Sequence, residues 1–131
     1  FRTIEGYLIR NSNNKKTFKL DKDGKYSKTR YKIIHSRDNY HLVLLKLETG
    51  RTHQLRVHLK SIGLPIYQDD LYNTYDSSKD TLFLHSYYLY FSLNDMIYEF
   101  DSDIPLKFSN LLELNNEELN TLIIKEIKES K

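Results

Sequence analysis

The chain has no cysteine, a single methionine, two prolines and four glycines in 131 residues. Without a thiol there is no disulfide framework and no thiolate metal site, so its chemistry must rest on oxygen and nitrogen groups. No stretch approaches the roughly 18 consecutive apolar residues that a membrane span requires, and Phe1 to Arg10 has no signal-peptide organisation. These absences fit a cytoplasmic protein. Residue 1 is Phe1 and the methionine is Met96, so a piece of a longer protein is expected. The length suits one ordinary domain.

What is present is an uneven charge. Up to Lys60 there are 15 Lys and Arg against 5 Asp and Glu, and beyond it 5 against 13, although the whole chain carries only +2. Cations gathered on one face gain affinity for a polyanion by releasing its counterions, so a nucleic-acid partner is compatible with this segregation. Ordinary solvated surface is the plainer alternative.

Gly6 to Lys25 is polar and lysine-rich, with turn clusters at Asn11-Ser12-Asn13-Asn14 and Asp21-Lys22-Asp23-Gly24; residues 1–23 read as an irregular opening segment. Arg30 to His35 alternates like a strand. Leu42-Val43-Leu44-Leu45, within Tyr40 to Leu47, suits a strand covered on both faces, and Arg37-Asp38-Asn39 suits the turn between the two. From Arg51 to Ile62 the spacing turns helical, with Leu55, Leu59 and Ile62 on one stripe and Gly63 and Pro65 as the stop.

Thr81 to Phe91 and Met96 to Phe100 are rich in β-formers around an Asn94-Asp95 turn, which predicts a hairpin. Pro105 suits the start of a helix carrying Phe108, Leu111 and Leu112. Asn115 with Glu118 forms a capping pair for a last helix bearing Leu119, Leu122, Ile123 and Ile127. The expected class is α+β, a mainly antiparallel sheet with flanking helices.

The densest signal is the run from Leu47 through Gly50-Arg51-Thr52-His53-Gln54-Leu55-Arg56 to Leu59, at the junction of strand and helix. A glycine there allows close backbone approach, and a helix N-terminus beside Arg51 offers N–H groups to a phosphate or carboxylate. Arg56 borders the apolar stripe and should be half-buried, which calls for a carboxylate partner; a structural salt bridge is the plainer reading.

His53 and His58 are five residues apart, about 140° around a helix, so no metal site is expected from them. His35, His41 and His85 read as structural or surface groups. Asp69 and Asp70, being adjacent, read as loop-structuring residues. Most of the eleven tyrosines read as sheet and core residues, although aromatic rings also stack on RNA bases.

Leu47 to Leu59 resembles the signature of the RluA-type RNA pseudouridine synthases. The likeness extends through Gly24 to Lys32, through Ser61 to Ile66 with Asp69, Leu71 and Tyr72, and through Leu82 to Ser86 and Ile104 to Phe108, covering about residues 24–112. Gln68 and Asn73 depart from it, standing where the family usually has glycine.

The resemblance implies that these residues are the C-terminal part of a single catalytic domain, 24–112 its core and 113–131 a terminal helix. It further implies an isomerase that converts uridine to pseudouridine in ribosomal or transfer RNA without a cofactor. By it, Arg56 matches the arginine that orients the catalytic aspartate, and Arg51, Thr52, His53 and Gln54 match neighbouring RNA- or substrate-binding positions. That aspartate belongs to an upstream His-Arg-Leu-Asp motif, which this sequence lacks, so the 131 residues alone are expected to be inactive and to partner a missing N-terminal half. The competing reading is a non-catalytic RNA-binding or ribosome-assembly module on the same scaffold. A small-molecule anion-binding domain built on the Gly50 turn is a third.

Overall fold

The computed structural model describes residues 1–73 and 82–130. Its elements are β1 (Arg2–Arg10), β2 (Phe18–Leu20), β3 (Lys25–Arg37), β4 (Tyr40–Leu47), α1 (Gln54–Ser61), β5 (Tyr88–Leu93), β6 (Met96–Asp101), α2 (Leu106–Leu112) and α3 (Asn116–Ser130). The first four strands form one sheet in the order β2-β1-β3-β4, and β5 pairs with β6 in a separate antiparallel hairpin. The class is α+β. Two compact units are present where the length suggested one: Phe1–His35 with Val43–Phe83, and Ser36–Leu42 with Leu84–Lys131.

The opening segment is not irregular. Ile4 and Leu8 are buried while Thr3, Glu5 and Tyr7 are exposed, so β1 is a half-covered strand. It runs antiparallel to β3 with Ile4 opposite Thr29 and Gly6 opposite Ser27, and to β2 with Leu8 opposite Leu20. Its polar composition hid this pattern, because one covered face needs only every second residue to be apolar. The two turn clusters occupy the expected bends: Asn11 and Asn14 accept bonds from the N–H groups of Asn13 and Lys16, and Asp21 from that of Asp23.

Gly24 is the glycine this arrangement requires. A Cβ there would lie 2.5 Å from the backbone carbonyl of Leu8. Around Gly50, by contrast, there is open space, and no part of the described chain approaches it closely.

In the first unit α1 lies against β1 and β2, and Leu8, Val57 and Tyr72 form the core, with Phe18 and Leu71 packed on it. The buried helix face differs from the apolar stripe read off the sequence. Gln54, Val57, His58 and Leu59 are buried, whereas Ile62 is 36% exposed. Two polar residues one turn apart go inside because β3 offers them hydroxyl partners, something apolar periodicity does not register. The helix ends as anticipated at Gly63 (φ 79°), with Gly63 N–H bonded to the Lys60 carbonyl and Leu64 N–H to that of Leu59. β4 is an edge strand whose Leu42 to Leu45 are only half-buried, so neither of its faces is fully covered.

In the second unit the Asn94-Asp95 turn joins β5 to β6 with both residues at positive φ, 51° and 65°, the geometry that matches strand twist. The strand starts at Tyr88, later than the β-rich run suggested; Thr81 lies outside the described residues. Arg37 donates to the Leu111 carbonyl at 2.6 Å and to Glu113 at 2.8 Å, closing the end of α2. The Asn115–Glu118 cap is reciprocal: Glu118 N–H donates to Asn115 Oδ1 at 2.8 Å and Asn115 N–H to Glu118 Oε1 at 3.2 Å. Leu119 and Ile123 are buried beyond it.

Gly24→Ala is expected to lower stability by about 1–3 kcal/mol, because the added methyl must displace the backbone of β1. Gly50→Ala should change it by less than about 0.5 kcal/mol. Urea unfolding of the two variants checks the contrast, and equal losses would contradict the packing described.

Candidate functional site

The site rests on a buried polar network. Gln54 is 2% exposed, and its amide is saturated. The carbonyl oxygen accepts from the Thr49 hydroxyl at 2.6 Å and from Arg51 N–H at 3.0 Å, and the amide nitrogen donates to the Lys28 carbonyl and the Thr29 hydroxyl, both at 2.9 Å. One side chain thus ties the strand-to-helix loop, β3 and the first turn of α1 together. It has no group left for RNA, so its part is support from beneath the surface rather than the contact its motif position implied.

His58, fully buried one turn on, completes the network. Its Nε2 lies 2.8 Å from Ser27 Oγ and its Nδ1 2.8 Å from Thr29 Oγ1. Ser27 spends its hydroxyl proton on the Gly6 carbonyl at 2.7 Å, so it must accept from His58 Nε2–H. Nδ1 then receives the Thr29 proton, which fixes a neutral imidazole. Burial pushes the His58 pKa below its ordinary 6.5 in agreement with this assignment.

Above the network stands Arg56, with a side chain 16% exposed. It grips Asp69 through two parallel bonds, Nε to Oδ2 at 2.9 Å and Nη2 to Oδ1 at 2.6 Å. Asp69 is fully buried and also accepts the N–H groups of Leu71 at 3.0 Å and Tyr72 at 3.2 Å. Burial alone would raise the Asp69 carboxyl; the bonds from Arg56 and from the loop backbone outweigh it and hold the pKa below 3.8. In return the Asp69 carboxylate raises the guanidinium pKa.

The loop-structuring reading of Asp69 therefore holds. The expectation that the carboxylate facing Arg56 lies outside the chain is corrected in part, since Asp69 occupies one edge of the guanidinium. Asp70 Oδ1 is 3.6 Å from Nη2, and among the described residues no acceptor is bonded to Nη1. The pairing escaped sequence reading because its members stand thirteen residues apart, across the end of α1 and the loop after it, which no periodicity connects.

His53 caps α1 from the left-handed region (φ 55°). Its ring stands edge-on to Phe18 and Tyr72, with centroids 5.4 and 5.5 Å apart, and its Nδ1 is 2.7 Å from the Tyr72 hydroxyl. That hydroxyl accepts Phe18 N–H at 2.8 Å, and the Tyr72 ring lies 5.1 Å from the Arg56 guanidinium. Burial, then the charge of Arg56, lowers the His53 pKa. Arg51 and Thr52 are exposed, and Arg51 Nε donates to the Tyr26 carbonyl at 3.0 Å.

Gln68 adopts φ 61°, a conformation that favours glycine, the residue the resemblance places there. Buried Asn73 donates to the Ile66 carbonyl at 3.1 Å and closes the same loop.

An antiparallel sheet carrying a helix, with an arginine on that helix held by a buried carboxylate, defines an α+β protein. A family model described as RNA pseudouridylate synthase matches residues 2–61, including the two strands that the motif reading had left out. Ribosomal large subunit pseudouridine synthase D of Borreliella burgdorferi is 40% identical over 129 residues, 94% of this chain and 40% of that protein. An uncharacterized RNA pseudouridine synthase of Mycoplasma genitalium is 38% identical over 121 residues, 87% of this chain and 39% of the other. Ribosomal large subunit pseudouridine synthase C of Haemophilus influenzae is 35% identical over 99 residues, covering 69% of this chain and 31% of its own. The chain belongs to the RluA-type RNA pseudouridine synthase family. It spans about two fifths of the length of the first two of these relatives.

Acid should weaken this unit in two windows. His58 and His53 have folded pKa values below 6.5, so their contribution is complete above that value and is lost as the pH falls from it toward the folded pKa. Asp69 stabilises above 3.8 and loses its contribution as the pH falls through its lower folded value. Thermal unfolding from pH 8 to pH 3 should therefore show a decline beginning near 6.5 that is shallower in His58→Gln, even though that variant starts less stable. An unchanged slope would contradict the neutral assignment of His58.

Proposed function

We propose that the parent protein isomerises uridine to pseudouridine in structured RNA, and that Arg56 orients a catalytic aspartate supplied from outside these 131 residues. The observation that carries this reading is the fork of Arg56. Asp69 fixes one edge and the guanidinium lies over the Tyr72 ring, while Nη1 is left without a protein acceptor among the described residues. A guanidinium held in this way is preorganised for a second carboxylate, because its orientation is already determined before that group arrives. Ribosomal RNA is the favoured substrate class, since relatives D and C are both named as ribosomal large subunit synthases; transfer RNA remains the alternative.

The reaction conserves every atom of the nucleotide. The bond from uracil N1 to ribose C1′ breaks, the base turns, and a bond from C5 to C1′ forms as the C5 proton is lost and N1 gains one. No electron acceptor or second substrate is required, in keeping with a protein that works without a cofactor. The target nucleotide must leave its stack to reach the site. Arg51 and Thr52, exposed at the start of α1, are suited to hold the adjoining phosphates, and His53 lines the same side. These 131 residues are inactive alone on this reading, and the protein works in the cytoplasm.

The internal Arg56–Asp69 pair also favours a second reading, in which the arginine is purely structural and the parent is a non-catalytic RNA-binding or ribosome-assembly module. Mapping pseudouridine in RNA from cells lacking the full-length gene separates the two. A modification should vanish with the gene and return with wild type, whereas Arg56→Lys, which keeps the charge but loses the fork, should restore it about 100-fold more slowly or worse while the protein still accumulates. Full restoration by Arg56→Lys and Arg56→Ala would make the residue structural. RNA unchanged by loss of the gene and of its paralogues would leave the module reading.

A further inference from the structure

We propose that the open face of the β1–β3 pair binds single-stranded RNA, with Tyr7 and Tyr26 as a platform for bases and Lys28, Arg30 and Arg51 as contacts for the backbone. The proposal rests on the reading that RNA is the partner and adds where a flanking strand would lie. Antiparallel register sets Tyr7 directly opposite Tyr26, Glu5 opposite Lys28 and Thr3 opposite Arg30, and alternation puts all six on the face turned away from Ile4, Gly6, Ser27 and Thr29. That inner face is taken up by the helix-side core and the Gln54–His58 network. On the outer one Thr3, Glu5, Tyr7 and Tyr26 are exposed, and Lys28 and Arg30 are half-buried.

The two rings meet edge to face, 5.9 Å between centroids and 65° between planes, and remain 48% and 41% exposed. Each ring therefore braces the other while keeping much of its surface uncovered, and paired aromatics on adjacent strands of a sheet are a recurrent means of stacking RNA bases.

The charge beside them has the sign an RNA backbone needs. Arg51, bonded through Nε to the Tyr26 carbonyl, is brought alongside the pair from the loop before α1. Arg30 lies 5.4 Å from the Phe1 ring, a second aromatic and cation combination at the far end of the same strand pair. Glu5 is the carboxylate on these six positions. It is 3.9 Å from Lys28 Nζ, a loose exposed pair, and together with Glu48 it also acts on the Tyr26 hydroxyl, so the three cations Lys28, Arg30 and Arg51 face two carboxylates. Rings and cations without an aliphatic cluster favour a nucleic acid over a protein occupant.

Fluorescence anisotropy of this chain with a fluorescein-labelled uridine dodecamer tests the assignment. Tyr7→Ser with Tyr26→Ser is expected to weaken binding at least about tenfold, whereas Tyr7→Phe with Tyr26→Phe, which keeps both rings, should stay within about twofold. Lys28→Gln with Arg30→Gln should flatten the dependence of log affinity on log salt by about 1.4. Circular dichroism melts verify that each variant is folded. Absence of binding by the wild-type chain, full affinity in the serine pair, or a concentration-dependent dimer that the serine pair abolishes would each overturn the proposal. If binding fails while pseudouridine still depends on the gene, only the RNA face is wrong; loss of both results would remove the RNA reading as well.

Discussion

The structure of the first unit depends on one saturated amide. Gln54 sits at the point where the loop after β4 becomes α1, and its four hydrogen bonds join Thr49, Arg51, the backbone of β3 and Thr29. A buried primary amide left with any of these unmet would cost on the order of 1–3 kcal/mol, so helix and sheet are bound to one register. His58, one turn further along, repeats the lock with Ser27 and Thr29. Together they make a polar seam beside a small core of Leu8, Val57 and Tyr72. A wholly apolar seam would allow α1 to slide; hydroxyl-to-ring and amide-to-carbonyl bonds do not.

Arg56 inherits its position from that seam. It lies between Gln54 and His58 on the helix, turned toward the loop that carries Asp69 and Tyr72. Breaking such a partly buried pair by removing one member is costly, about 3–5 kcal/mol when the remaining charge stays buried. The loop is thus held by the same arginine that it orients. Asp69 binds two loop N–H groups as well as Arg56, so a single carboxylate both shapes the loop and fixes the guanidinium. Tyr72 links this arrangement to His53 and to the backbone of β2 at Phe18.

Particular residues show why some features were legible and others were not. Local devices are written in consecutive residues: the Gly63 stop, the Asn94-Asp95 turn and the Asn115–Glu118 cap depend on interactions within a few positions, and each stands where the sequence implies it. β1 and β2 were missed because the asparagines and lysines of the segment between them dominate the opening composition, while the alternation that makes β1 a strand lies in Ile4 and Leu8 alone. The buried face of α1 was misplaced for a related reason. Gln54 and His58 follow helical spacing, and Ser27 and Thr29 follow strand spacing; matching those two polar periodicities would have revealed the seam, whereas matching apolar residues pointed to Ile62.

By itself the sequence determined the α+β class, the order of most elements and the family, because these follow from local propensity, turn chemistry and the motif around Arg51 to Arg56 read along the chain. Only the tertiary structure decided what those residues touch. It made Gln54 a support rather than a contact, gave Arg56 a carboxylate thirteen residues away, and set Tyr7 against Tyr26 across two strands. Such pairings depend on distances that a loop or a strand register closes in space, and the order of residues along a chain does not contain them.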